Sequence, residues 1–274
     1  MALDPTLVTE LRTILRNFRA AHGPAAVPTG AGKALEAWLL MKLAREAQAS
    51  GKWDVELCDG AGNPIAAGNA FVIRSNPGGI AASAPSAPGF VRLKASHTNW
   101  KLWLRGHHCH LELHGSLQWI GRSNAKHECD ISVLPAVIGD AIRGTGGGRP
   151  SGLPVVAIEC KDKVSHGTPD EMRQTLARLF DLAHVSQTML GGYHRIFHAA
   201  SMTSWGRRSS AYRSYFASGH FGIVRVGAFQ RSATRMAQHY YIGRYFDIYD
   251  PAKVTVTQVA SRFLDVIGSV AKMA

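Results

Sequence analysis

Three short stretches carry residue types that could do chemistry together. The run Pro154-Val155-Val156-Ala157-Ile158-Glu159-Cys160-Lys161 reads as a buried strand, apolar until it ends in an acid and a base. Side chains alternate along a strand, so Glu159 and Lys161 share one face while Ile158 and Cys160 share the other. Burying a charge without a partner is costly, so both charges need compensation. A second strand candidate, Glu128–Leu134, carries Asp130 and can bring it beside Glu159 if the two strands pair. Two carboxylates held close repel unless a cation lies between them. Mg²⁺ or Mn²⁺ suits such a pair, with Asp130, Glu159 and the backbone carbonyl of Cys160 as ligands and waters completing the shell. A third acid, Glu36, lies on a helix in line with Leu40, Leu43 and Ala47, on the stripe expected to face inward. Its partner is either such a metal site or a buried hydroxyl or amide.

Those side chains need elements to hold them. Asp4 and Pro5 open a first helix with Leu7, Leu11, Ile14, Leu15 and Phe18 on one face. A second helix runs from about Lys33 to Ala49, with Lys42 and Arg45 on the side opposite Glu36. Short strands are expected at Trp53–Leu57, Ala70–Arg74 and Phe90–Lys94, and longer ones at His110–Ile120, Glu128–Leu134 and Pro154–Cys160. Gly139–Pro154, with its Gly144-Thr145-Gly146-Gly147-Gly148 run, reads as a mobile insertion at a hairpin tip. Thr168-Pro169-Asp170-Glu171 is a capping box that starts a helix with Met172, Leu176, Leu179, Phe180 and Ala183 on its apolar face. A strand at Arg195–Ala199, a short helix near Ser210–Ser218, a strand at Phe221–Gly227 and a closing helix from about Thr257 follow. The expected architecture is one α/β domain over 1–274: an N-terminal helix and loop (1–32), a core (33–227) with a mixed sheet flanked by helices, and a C-terminal extension (228–274).

The 274 residues carry 31 Lys and Arg against 19 Asp and Glu, a formal charge of +12 that calls for a polyanionic partner. Arg207, Arg208, Arg213, Arg225, Arg231, Arg235 and Arg244 cluster near the C-terminus, interleaved with Tyr212, Tyr215, Phe216, Tyr240 and Tyr241, a pattern able to grip nucleic acid or simply to coat a solvated face. Cys58, Cys109, Cys129 and Cys160 form no C-x-x-C pair, which disfavours a zinc ribbon or a disulfide scaffold. Cys129 and Cys160 read as small core residues. His107, His108, His110 and His114 read as structural or surface groups rather than zinc ligands, because alternation splits them between two faces. Gly30-Ala31-Gly32-Lys33-Ala34 lacks the spacing and the hydroxyl of a phosphate loop. No secretory leader and no membrane span is expected, which suits a cytoplasmic protein without membrane partners.

Asp130, the Glu159-Cys160-Lys161 triplet and the helix acid Glu36 together resemble the PD-(D/E)xK nuclease superfamily, over roughly Lys33 to Gly227. Two features depart from that pattern: Cys129 stands where the superfamily often has Pro, and the gap from Asp130 to Glu159 is long. The resemblance implies a restriction-endonuclease-like core and Mg²⁺- or Mn²⁺-dependent hydrolysis of phosphodiester bonds, in DNA before RNA, of restriction or phage-defence type. Asp130 and Glu159 would hold the ion, Glu36 would complete its shell directly or through a water, and Lys161 would orient the attacking water and offset charge. Arg173, Gln174 and Arg178 on the capped helix, with Arg207, Arg208 and Arg213, would contact the nucleic acid, and a homodimer is expected if both strands are cut. A module that binds nucleic acid without cutting it, and a phosphoesterase acting on a small nucleotide, are the competing readings.

Overall fold

The computed structural model describes residues 5–18, 32–96, 110–121, 123–151, 154–183 and 221–273. Two helices come first, α1 (Pro5–Asn17) and α2 (Lys33–Ala49), followed by β1 (Trp53–Cys58), β2 (Ile80–Ala81), β3 (Phe90–Ala95), β4 (His110–Ile120) and β5 (Lys126–Pro135). The chain continues through α3 (Ala136–Gly144), β6 (Gly147–Gly148), β7 (Val156–Lys161), α4 (Pro169–Ala183), β8 (Phe221–Arg225), α5 (Arg231–His239), β9 (Gly243–Tyr245) and α6 (Val254–Met273). Seven strands form one mixed sheet in the order β1-β3-β4-β5-β7-β8-β9. Pairing is antiparallel from β1 to β7 and parallel from β7 through β9. The apolar 154–160 run thus becomes a central strand, as its composition requires.

Helices cover the sheet on both sides and create two cores. One joins α1, α2 and α6 to Leu93, Leu113, Ile131, Val133, Val156 and Ile158. The other joins α4 and α5 to Leu117, Trp119, Cys129, Ala157 and Ile223. Helix α2 is buried on nearly its whole circumference, because α1 packs over the side away from the sheet. Lys42, on the side opposite Glu36, is therefore buried too, and its Nζ lies 3.4 Å from Glu10 of α1. Glu10 also accepts a hydrogen bond from Trp38 Nε1 at 2.6 Å and pairs with Arg45 at 2.7 Å, so one acid fixes three α2 side chains.

Several expectations are corrected. Ala70–Arg74 forms no strand of the sheet; Phe71 and Ile73 are buried, but Gly and Pro on either side leave the segment without a ladder. The described part of the 139–154 segment, 139–151, forms regular structure rather than a loose hairpin tip. Its first part is α3, anchored by the buried Arg143, and Gly147 and Gly148 pair with Ala81 and Ile80. Arg143 bonds to Glu112, a fully buried acid on β4 that also meets Arg92 at 3.1 Å and His114 at 2.9 Å. An added Cβ at Gly139 would lie 2.1 Å from Glu112 Oε2, so only glycine lets α3 approach this closely. The closing helix starts at Val254 rather than Thr257, and β8 ends at Arg225. The Thr168 capping box forms as expected: the Glu171 amide donates to Thr168 Oγ1 and the Thr168 amide to the Glu171 carboxylate, both at 3.2 Å.

Asp4, the strand at 195–199 and the helix at 210–218 lie outside the described residues, as do Arg207, Arg208, Arg213, Tyr212, Tyr215, Phe216, His107, His108 and Cys109. Arg225 belongs to no basic surface. It is fully buried, and its guanidinium donates to the carbonyls of Ser165 at 2.7 Å and Ala228 at 2.9 Å. Among the described residues, no helix is long and apolar enough to cross a membrane.

Candidate metal centre

The site forms where the β5–β7 ladder ends. The last paired residues are Ile131 and Ile158, so the next facing positions are Asp130 and Glu159. There the Asp130 carboxylate replaces the missing strand partner and accepts the Cys160 amide at 2.6 Å. On the neighbouring strand the alternation also slips. Ser116 takes a φ of 47°, and the β4–β5 register passes from Gly115↔Ile131 to Leu117↔Cys129 around it. As a result Gly115 lies against Leu40 and Ser116 donates to Glu36 at 2.7 Å, so two consecutive residues turn towards α2. Leu117 and Trp119 beyond them belong to the opposite core. This irregularity gives Glu36, in the buried stripe of α2, a polar partner on the sheet.

Glu36, Glu128 and Asp130 converge there, each offering one carboxylate oxygen within 4.8 Å of the others. Glu36 and Asp130 are buried and Glu128 is half-buried. Burial raises the Glu36 carboxyl above its ordinary value, against the Ser116 and Lys33 hydrogen bonds that favour the anion. Asp130 is pushed further up, by burial first and then by the charges of Glu159 and Glu36, with the Cys160 amide and Lys161 opposing. Lys33, at the start of α2, places its ammonium 2.9 and 3.0 Å from the Glu36 oxygens, 3.1 Å from Glu128 and 3.0 Å from Ser116 Oγ.

Glu159 is buried too, but it is not a member of that group of three. Its Oε1 accepts from Lys161 and, at 2.8 Å, from Arg178 of α4. Burial lowers the Lys161 pKa, yet the Glu159 and Asp130 charges more than reverse this, so Lys161 stays an ammonium. The four carboxylates therefore meet three cations belonging to the chain itself, Lys33, Lys161 and Arg178.

The structure thus brings Glu36, Asp130, Glu159 and Lys161 into one electrostatic neighbourhood, with Asp130 as the link. Of the helix residues, Arg178 is committed to Glu159, Arg173 is exposed and pairs with Asp170, and Gln174 is exposed. The thiol pKa values of Cys129 and Cys160 are raised by burial first and then by the nearby carboxylates, as befits core residues. His114 is buried against Glu112 and stacked on Phe90, a structural role. Sequence reasoning missed Glu128, Lys33 and Ser116. Glu128 could have been found as the residue two before Asp130 on the same strand, and Lys33 as an i, i+3 partner of Glu36. Ser116 had no local signal, since its role depends on the slip in β4.

The donor set fits a hard divalent ion. Carboxylate oxygens are the ligands such ions prefer, and three of them within 4.8 Å of one another would have to draw in towards the roughly 3 Å spacing of neighbouring oxygens around Mg²⁺. Comparison with protein-family models, curated proteins and solved structures gives no match for this chain.

Proposed function

We propose that this protein is a metal-dependent nuclease that hydrolyses phosphodiester bonds, in DNA before RNA, on a restriction-endonuclease-like core of the PD-(D/E)xK type. One observation carries the reading. Asp130 sits where the β5–β7 ladder opens, within 4.8 Å of the Glu36 and Glu128 carboxylates and at the position facing Glu159, which Lys161 holds. An ion-pair network serving packing alone would not need to gather buried carboxylates at a strand end, where each raises the cost of the next.

Glu36, Glu128 and Asp130 would hold Mg²⁺ or Mn²⁺, with Glu159 and the Cys160 carbonyl on the β7 side. When bound, the ion supplies Lewis-acid polarisation of the phosphate and lowers the pKa of a water. The chain's own residues do the remaining work. Lys161, kept cationic by Glu159 and Asp130, offsets negative charge that builds on the phosphate and orients the attacking water. Arg178 holds Glu159 and thereby sets where Lys161 points, a positioning role rather than a contact with nucleic acid. Arg173 and Gln174, exposed one turn earlier on α4, remain candidates for steadying the phosphate backbone.

Purified protein incubated with supercoiled plasmid, or with RNA, in Mg²⁺, Mn²⁺ or EDTA tests this beside Glu159→Gln and Lys161→Met. Metal-dependent cutting that falls on the order of 100-fold or more in both variants is expected. Equal cutting by all three proteins refutes the proposal. A second reading is a nucleic-acid-binding module that does no chemistry. It is favoured by the three internal cations, which balance most of the acidic charge without a metal. Salt-dependent binding without cutting in either metal would establish it.

A further inference from the structure

Lys33 holds an unusual place. Its one ammonium gathers oxygens from Glu36, Glu128 and Ser116 at 2.9 to 3.1 Å, two of the three carboxylates that the proposed metal centre would use. An ammonium is a compact point charge with three donors and no preferred plane, which makes it the side chain best able to imitate a small cation among oxygens. A divalent ion seated on Glu36 and Glu128 would face this ammonium across the same carboxylate oxygens, and the two cations would repel. Lys33 also has somewhere to go. It is the first residue of α2, its side chain is 20% exposed, and its four-carbon stem can carry the charge out to water.

We propose that Lys33 is the centre's resident counter-ion: it occupies the acid group when no metal is bound and must withdraw for a divalent ion to enter. This rests on the metal centre proposed above and adds a device that sets how much metal the protein needs. Without Lys33 the acids would repel one another in the metal-free protein. With it, metal binding becomes an exchange of one cation for another, and the apparent affinity is lowered by the cost of displacing the lysine.

The test is metal binding by the full-length protein without nucleic acid, using Mn²⁺ titration followed by the electron paramagnetic resonance of free Mn²⁺. Lys33→Met keeps the length of the side chain and removes the charge. It is expected to bind Mn²⁺ about tenfold tighter or more, and to melt at lower temperature than the wild type in EDTA. Equal or weaker binding by Lys33→Met overturns the counter-ion role while leaving the metal centre standing. Absence of Mn²⁺ binding in both proteins overturns the metal centre and the inference together. Should Lys33→Met not fold in EDTA, the wild type gives the answer. Acylation of Lys33, followed by mass spectrometry, should accelerate several-fold when Mg²⁺ saturates the protein, and an unchanged rate overturns the inference.

Discussion

Asp130→Asn should make the metal-free protein more stable and the metal-loaded protein less so. Asp130 is 7% exposed and stands within 4.8 Å of both the Glu36 and the Glu128 carboxylates. Two like unit charges at that distance repel by about 3.5 kcal/mol at an effective dielectric near 20. Lys33 cancels much of this for Glu36 and Glu128, and Lys161 offsets part of it for Asp130 itself. Asparagine keeps an oxygen to accept the Cys160 amide but gives up the charge assistance, which costs about 1 kcal/mol. The balance is a gain of about 1–2 kcal/mol at neutral pH in EDTA, roughly 2–8 °C in melting temperature for a chain of this size. Saturating Mn²⁺ should reverse the order, because the wild type gains about 2.7 kcal/mol at a hundredfold excess over Kd and the variant loses a ligand. Urea denaturation at pH 7.5, with EDTA and with Mn²⁺, measures both signs. The pH dependence has its own sign. Asp130 keeps its proton in the folded state where the unfolded chain has released it, so wild-type stability falls as pH rises from the ordinary value of 3.8 through the raised one. The variant should lack that part of the fall. A variant that is less stable than the wild type in EDTA would refute the electrostatic reasoning, since Asp130 would then be held more firmly as an anion than its neighbours allow.

Two further substitutions separate the frame from the site. Glu112→Leu leaves Arg143 and Arg92 without their shared buried partner and should cost about 3–5 kcal/mol in urea denaturation, with Mn²⁺ affinity unchanged. Thr168→Ala removes the acceptor of the Glu171 amide at the start of α4 and should cost about 1 kcal/mol by the same measurement. A loss below a few tenths would mean that the other contacts of Glu171, Lys163 at 3.5 Å and Arg225 at 3.8 Å, hold that turn by themselves.

Much of the frame was legible because local rules settle it. The apolar run ending at Glu159 has few homes other than a central strand, and β7 takes one between β5 and β8. The stripe that begins with Glu36 and Leu40 meets the sheet at Ser116 and Gly115, as helical spacing allows. Tertiary structure decided which charge meets which. Glu128 joins Glu36 because strand register brings it under α2, Ser116 reaches Glu36 because its positive φ breaks the side-chain alternation of β4 without shifting its register, and Arg178 reaches Glu159 because α4 lies over the end of β7. The glycine run after Ile142 reads locally as a loose tip. It instead closes α3 at Gly144 and pairs Gly147 and Gly148 with β2, while Arg143 ties the helix to an acid 31 residues away in the chain. Periodicity along the chain chooses the face on which a side chain emerges. The partner waiting there comes from a distant segment, so a charge's counter-ion is fixed only when the sheet closes.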